Sequence, residues 1–126
     1  MTQRISLSQK LDLFQETWTP KIVGELNQQH VKLAKLEGPF EWHHHEGEDE
    51  LFLVLEGRLL MELRDEQGER TEELDPGDML IVPKGVEHRP VADPTASVLL
   101  FEPATTVNTG NRQVDSQRTV TELEHI

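Results

Sequence analysis

The chain is expected to fold as an all-β sandwich or barrel built as one domain. Three observations carry that expectation. About eight short runs rich in apolar residues are separated by turn signals, which is the pattern of sheets. No long stretch places apolar residues at helical spacing, and no internal repeat is present. The length, 126 residues, suits a single domain that can bury a core without disulfide or metal staples.

The elements follow in order. Leu7, Leu11 and Phe14 are spaced four and three apart, so Ser6–Gln15 reads as a short amphipathic helix ended by Pro20. Lys21–Leu26 reads as a strand, Asn27-Gln28-Gln29 as a polar turn and His30–Leu36 as the antiparallel partner. Gly38-Pro39 punctuates the chain before an expected strand over Phe40–His45. The acidic stretch Glu46–Asp49 is a loop. Glu50–Glu56 is a strand with Glu50, Phe52 and Val54 on one face and Leu51, Leu53 and Leu55 on the other. Apolar residues on both faces imply that neither sees much water. Gly57 is expected to turn the chain into a strand over Arg58–Arg64. A polar loop, Asp65–Glu69, leads to a polar edge strand over Arg70–Leu74. Asp75-Pro76-Gly77-Asp78 is a strong turn, Met79–Val82 a short buried strand, and Pro83-Lys84-Gly85 a further turn. Ala96–Glu102 is the last expected strand, so the barrel core spans about 21–102. Residues 103–126 are expected to form a polar C-terminal tail or surface loop, with a final helical turn over Thr119–Ile126.

Two segments carry chemistry. The first has the pattern His-x-His-x4-Glu-x6-Gly, from His43 through His45 and Glu50 to Gly57. The second has the pattern Gly-x5-Pro-x-Gly-x2-His, from Gly77 through Pro83 and Gly85 to His88. Three imidazoles and one carboxylate form an N/O ligand set suited to a first-row divalent metal. On a strand His43 and His45 point to the same face, while His44 alternates away toward packing or solvent. Glu50 can return to that face after the turn at Gly47, and Asp49 is its nearest competitor. Glu46, Glu48 and Asp49 otherwise read as a solvated loop, and His30 and His125 as lone histidines without a site. Phe52, Val54 and Met61 are core residues that can also line a pocket. Arg58, Arg64 and Arg89 can either bind an anionic substrate or stay solvated. No Ser-His-Asp set and no phosphate-binding glycine loop is present, so any chemistry belongs to the metal.

The two segments resemble the paired signature motifs of the cupin superfamily, in its small single-domain form. The resemblance covers Gly38–Pro90 and implies the ligands His43, His45, Glu50 and His88. It departs twice from the usual pattern. Four residues rather than five separate Gly38 from His43, and Ala92 stands where Asn often closes the second motif. The resemblance implies a double-stranded β-helix, the jelly-roll barrel, with the metal inside one end. It allows oxygenase, isomerase, lyase and sugar-modifying chemistry, or binding alone, because fold does not decide function.

The expected cofactor is one divalent transition metal, with Mn, Fe, Co, Ni, Cu and Zn all compatible. Four protein ligands around an octahedral ion leave two positions for water, substrate or dioxygen, and an open position marks a catalytic site. The expected function is a metal-dependent enzyme acting on an organic small molecule. The alternative is a non-enzymatic module that senses or stores a small molecule or metal. A polar pocket beside the metal favours the enzyme; a purely apolar, closed one favours the module. A net charge of -12 argues against a nucleic-acid partner. No apolar run reaches the length of a membrane span, and the start lacks the apolar stretch of a signal peptide. With no cysteine in the chain, a cytoplasmic location is expected. Leu51, Leu53 and Leu55 point away from the ligand face and need a cover. The N-terminal segment covers part, and a second subunit is expected to supply the rest in a homodimer, as the resemblance also implies.

Overall fold

A computed structural model describes residues 2–111 and 122–126. It contains one short helix, α1 (Leu7–Leu11), and six strands: β1 (Lys21–Leu26), β2 (Gln29–Pro39), β3 (Glu50–Asp65), β4 (Gly68–Leu74), β5 (Met79–Val82) and β6 (Glu87–Pro103). All strand pairs are antiparallel, in the order β1-β2-β6-β3-β4, with β5 added to the first half of β3. The two longest strands, β3 and β6, run side by side for nearly their full length and carry the barrel.

The strand count is lower than expected because separate runs join. Gly57 does not turn the chain; it sits inside β3, which continues from Glu50 to Asp65. The reason lies in the burial pattern. Phe52 and Val54 are buried at even positions, Leu59, Met61 and Leu63 at odd ones. A two-residue period cannot make that change, so the ladder to β6 slips between Val54 and Glu56 and again between Gly57 and Leu59. Likewise β6 joins the His88 segment to the Ala96–Glu102 run. The expected strand over Phe40–His45 is irregular; its backbone meets β6 through the Phe40 N–H to Pro90 and a paired exchange between His43 and His88. Met79–Val82 is a strand but not a buried one, since Met79 and Ile81 are more than half exposed.

The main core fills the space between the sheet halves with Val54, Leu59, Met61 and Val98, each fully buried. Burying each such side chain stabilises the fold by about 1.5–3 kcal/mol. Ala92, the departure from the second motif, is part of this core. A smaller cluster lies outside the barrel, where Leu11 and Phe14 pack on Leu33 with Leu55 and Leu99 at its margin. Helix α1 is too short to stand alone. The Ser6 side chain caps it by accepting from the Gln9 N–H at 3.4 Å. It ends at Asp12, well before Pro20.

The helical turn expected over Thr119–Ile126 lies partly outside the described residues. Its described end is not helical: the Ile22 N–H donates to Glu124 and the Ile126 N–H to Ile22, which lays the chain end along β1. Residues 104–111 lie against the start of the first motif. The Asn111 N–H donates to the His44 carbonyl at 2.9 Å, and the His44 N–H donates to Asn111 Oδ1 at 2.8 Å. Thr109 in this segment is fully buried.

Candidate metal centre

Four elements converge inside one end of the barrel. Glu50 opens β3, held by its pairing with Val82 on β5. His88 sits on β6 opposite Leu63 of β3. His43 exchanges both backbone hydrogen bonds with His88, at 3.0 and 2.9 Å. His45 accepts at its carbonyl from the Gly85 N–H at 2.8 Å, so the turn of the second motif fixes the first. These pairings bring the ligand atoms of His43, His45, Glu50 and His88 within 4.8 Å of one another, and all four residues are buried.

The tautomers of two imidazoles follow from their backbone partners. His43 Nδ1 lies 2.8 Å from the Glu41 carbonyl and His88 Nδ1 3.0 Å from the Val86 carbonyl. Each Nδ1 therefore carries the proton and each Nε2 turns a lone pair into the site. Glu50 Oε1 lies 3.3 Å from Nε2 of both His45 and His88. His45 Nε2, His88 Nε2 and Glu50 Oε1 are buried and find no hydrogen-bond partner. An orphaned buried polar atom costs about 1–3 kcal/mol. Three of them around one point fit a cation, which satisfies all at once. The residues thus suit a divalent metal in number, kind and placement.

The surrounding charges agree. Burial first, and then the neighbouring His88, pushes His43 from its ordinary 6.5 down to about 3. Burial alone would raise the Glu50 carboxyl, but a hydrogen bond from Glu102 and the adjacent His45 and His88 rings outweigh it and hold Glu50 well below the usual range. The opposite holds for Glu102, where burial and then the Glu50 carboxylate push the carboxyl well up. A neutral His43 and an ionised Glu50 are the forms that coordinate a metal.

A pH dependence follows for the metal-free protein. Between about pH 6.5 and about 3 the unfolded chain binds a proton at His43 that the folded chain excludes. Stability present above pH 6.5 should be lost as pH falls through that window, by about 1.4 kcal/mol per pH unit from this group. Urea midpoints at pH 7 and pH 5 test it. His43→Gln should flatten the slope, and an unchanged slope would show that His43 is not held neutral.

The remaining sequence candidates find other places. His44 is half-buried and points away from the cluster, with Nε2 3.7 Å from Glu46 Oε1. Asp49 accepts the Lys84 N–H at 2.8 Å, so it ties the two motifs together, and Glu50 is the carboxylate that joins the histidine cluster. His125 and His30 both approach Glu25, at 2.9 and 3.4 Å, away from the centre. None of the three arginines faces the site. Arg58 pairs with Glu73, Arg64 with Glu69 and Arg89 with Glu62. Arg64 and Arg89 also cover the Trp42 ring. Phe52 lines the pocket, whereas Val54 and Met61 belong to the core away from it.

Beside the ligands lies a cavity of about 40 Å³, room for about three water-sized groups. Trp18, Phe40, Phe52 and Leu100 form its apolar wall, and Lys32 and Glu102 add charge. Trp18 stacks on Phe40 at 4.5 Å, and Phe40 meets the His43 ring edge-on at 5.5 Å, so the wall braces a ligand. Lys32 and Glu102 are polar pocket residues that the sequence reading passed over. Their signal was available: each is a charge at the inward parity of an otherwise apolar strand, Lys32 with Ala34 and Leu36, Glu102 with Val98 and Leu100.

Fold and site together define a small β-barrel protein with a buried three-histidine, one-carboxylate ligand set at one end. Its sequence places it more closely. The model of the family described as "Cupin domain" matches residues 29–102, and the chain belongs to that family. It is similar to a cupin-2 domain protein of known structure from Shewanella frigidimarina, with 39% identity and a TM-score of 0.74 over 79% of this chain and 93% of that one. A solved protein from Neisseria meningitidis is 30% identical, with a TM-score of 0.71 over 81% of this chain and all of that one. An uncharacterized Bacillus subtilis protein, YdbB, is 45% identical over 67 residues, which are 53% of this chain and 57% of that relative. Among the described residues no helix is long and apolar enough to cross a membrane.

Proposed function

We propose that the chain binds one divalent transition metal through His43, His45, Glu50 and His88 and acts enzymatically on a small organic molecule. The observation that carries this is the set of buried, unpartnered ligand atoms opening on a cavity with polar groups of its own. A metal held there supplies Lewis acidity toward an oxygen of substrate or water. The protein's own part is to hold His43 and His88 in the right tautomer, to keep water out with the Trp18–Phe40 wall, and to present charge at Lys32 and Glu102. The reaction is of oxygenase, isomerase or lyase type. The polar groups in the cavity favour catalysis over a module that only binds or senses, for which an apolar lining would suffice. A reducing cytoplasm suits the cysteine-free chain.

Elemental analysis tests the proposal on protein purified without chelator or affinity nickel. One metal per chain is expected, followed by turnover in a substrate screen with that metal loaded. Absence of any bound transition metal would overturn it. Metal without turnover on any substrate class would leave the binding module as the better reading.

The partner we propose is a second copy of the chain. Helix α1 and Phe14 cover the Leu55 end of the outer sheet face. Leu51 and Leu53 pair across to Ile81 and Met79, which are 52% and 58% exposed. An exposed apolar strip of this kind calls for a cover, most simply through a two-fold interface. Light scattering at micromolar concentration should give twice the 14.4 kDa chain mass, and Ile81→Asp should halve it. A wild-type mass of one chain would end the proposal.

A further inference from the structure

One charged pair inside the barrel lies beside the ligand set without belonging to it, although Glu102 hydrogen-bonds Glu50. Lys32 on β2 and Glu102 on β6 are each 2% exposed, with Nζ 2.7 Å from Oε1. The strands they join are already laddered along their length, from Gln29↔Pro103 to Pro39↔Val91. The pair therefore adds no connection that the backbone lacks. Taking two charges out of water is costly, and apolar residues of similar size commonly hold a core at least as well. Something other than stability keeps this pair in place.

Its surroundings indicate what. Lys32 and Glu102 line the same cavity as His43 and Glu50. The Lys32 ammonium has three N–H donors, and Glu102 is its one hydrogen-bond acceptor among the described residues. Donors are left over, buried, in a cavity lined mainly by apolar groups such as Trp18, Phe40, Phe52 and Leu100, with Asn108 as a further polar residue. The charge count points the same way. Coordinated imidazoles are neutral. A divalent ion, Lys32, Glu50 and an ionised Glu102 leave one net positive charge in a largely apolar cavity. A protonated Glu102 leaves two. In either case the site lacks an anion.

We propose that Lys32 is the specificity-determining residue of this pocket and that the pocket takes a small carboxylate with a short apolar body. The ligand carboxylate accepts from the spare N–H groups of Lys32, and Glu102 holds the ammonium in place. The apolar body lies against the aromatic wall of this cavity of about 40 Å³, so a short one suffices. This inference rests on the metal-binding reading above, and it names the substrate class of that site.

The test uses propionate and propionamide, which share a shape and differ in charge. Each is titrated into the Co(II)-loaded full chain, followed by the visible absorption of the ion, with metal content measured in parallel. Wild-type protein should bind propionate at least tenfold more tightly than propionamide. Lys32→Met should bring the two affinities within about threefold while metal content stays at one per chain. That variant leaves Glu102 without its partner, so Lys32→Met/Glu102→Gln is tested beside it. The double variant keeps one net positive charge whatever the protonation of Glu102 but lacks the donors, and it too should lose the preference. If it keeps the preference at full metal content, net charge alone selects the anion and Lys32 has no such role. A wild-type protein that loads metal but does not discriminate overturns this inference alone. A wild-type protein that loads no metal overturns it together with the function proposed above.

Discussion

Replacing His45 or His88 with Ala should lower metal affinity at least ~100-fold, since losing even an outer partner of a ligand costs about 10–100-fold. Each supplies one of only four donors, and the four are preset within 4.8 Å. The metal content of protein purified without chelator should fall from about one per chain to under a tenth. The barrel should persist in circular dichroism, because its core of Val54, Leu59, Met61 and Val98 is left intact by these substitutions. His44→Ala is the internal control. It sits between two ligands, but its side chain points away and its role runs through its backbone to Asn111. It should keep full metal content. Native affinity in both ligand variants would show that the metal is held elsewhere.

The ligand set was legible in the sequence because it depends on spacing alone. His43 and His45 share a parity, Gly85 and Pro83 place His88, and the turn at Gly47 brings Glu50 back. The pocket was less legible because it depends on register. Nothing in β2 alone says that Lys32 comes to lie within reach of Glu102; that needs the pairing of His30 with Glu102 and of Lys32 with Leu100. The Phe40–His45 segment was misread for a related reason. Its alternation is that of a strand, but Gly38 at φ 65° and the slip between Glu37 and Pro39 take it off the ladder. Two histidines two apart still face one way, so His43 and His45 come together with Glu50 and His88 despite the wrong element. Met79 and Ile81 read as buried because they are apolar, whereas β5 lies on the outside of β3 and turns them outward.

Gly57→Ala should have the largest effect on folding, a loss of more than ~4 kcal/mol, beyond the range of ordinary substitutions. Gly57 reads in sequence as a turn, and its glycine is required for a different reason. It has φ 78°, a conformation that L side chains rarely adopt. More decisively, a Cβ there would lie 2.1 Å from the Thr95 carbonyl oxygen and 2.9 Å from Ala96 Cα. Both are backbone atoms of β6, so no side chain can rotate away to make room. The strand itself has to retreat, at the point where β3 slips register against it. Gly38→Ala separates strain from collision. It has φ 65° as well, but an added Cβ there meets nothing within 4 Å. Its cost should stay near the ~1–2 kcal/mol of a left-handed residue with a side chain. Urea unfolding of the two variants gives the comparison, and equal midpoints would refute the collision. The consequence reaches the site, because β3 carries Glu50 and β6 carries His88. Folded protein recovered from Gly57→Ala should therefore also bind metal more weakly, whereas Gly38→Ala, with no strand displaced, should bind it like the wild type.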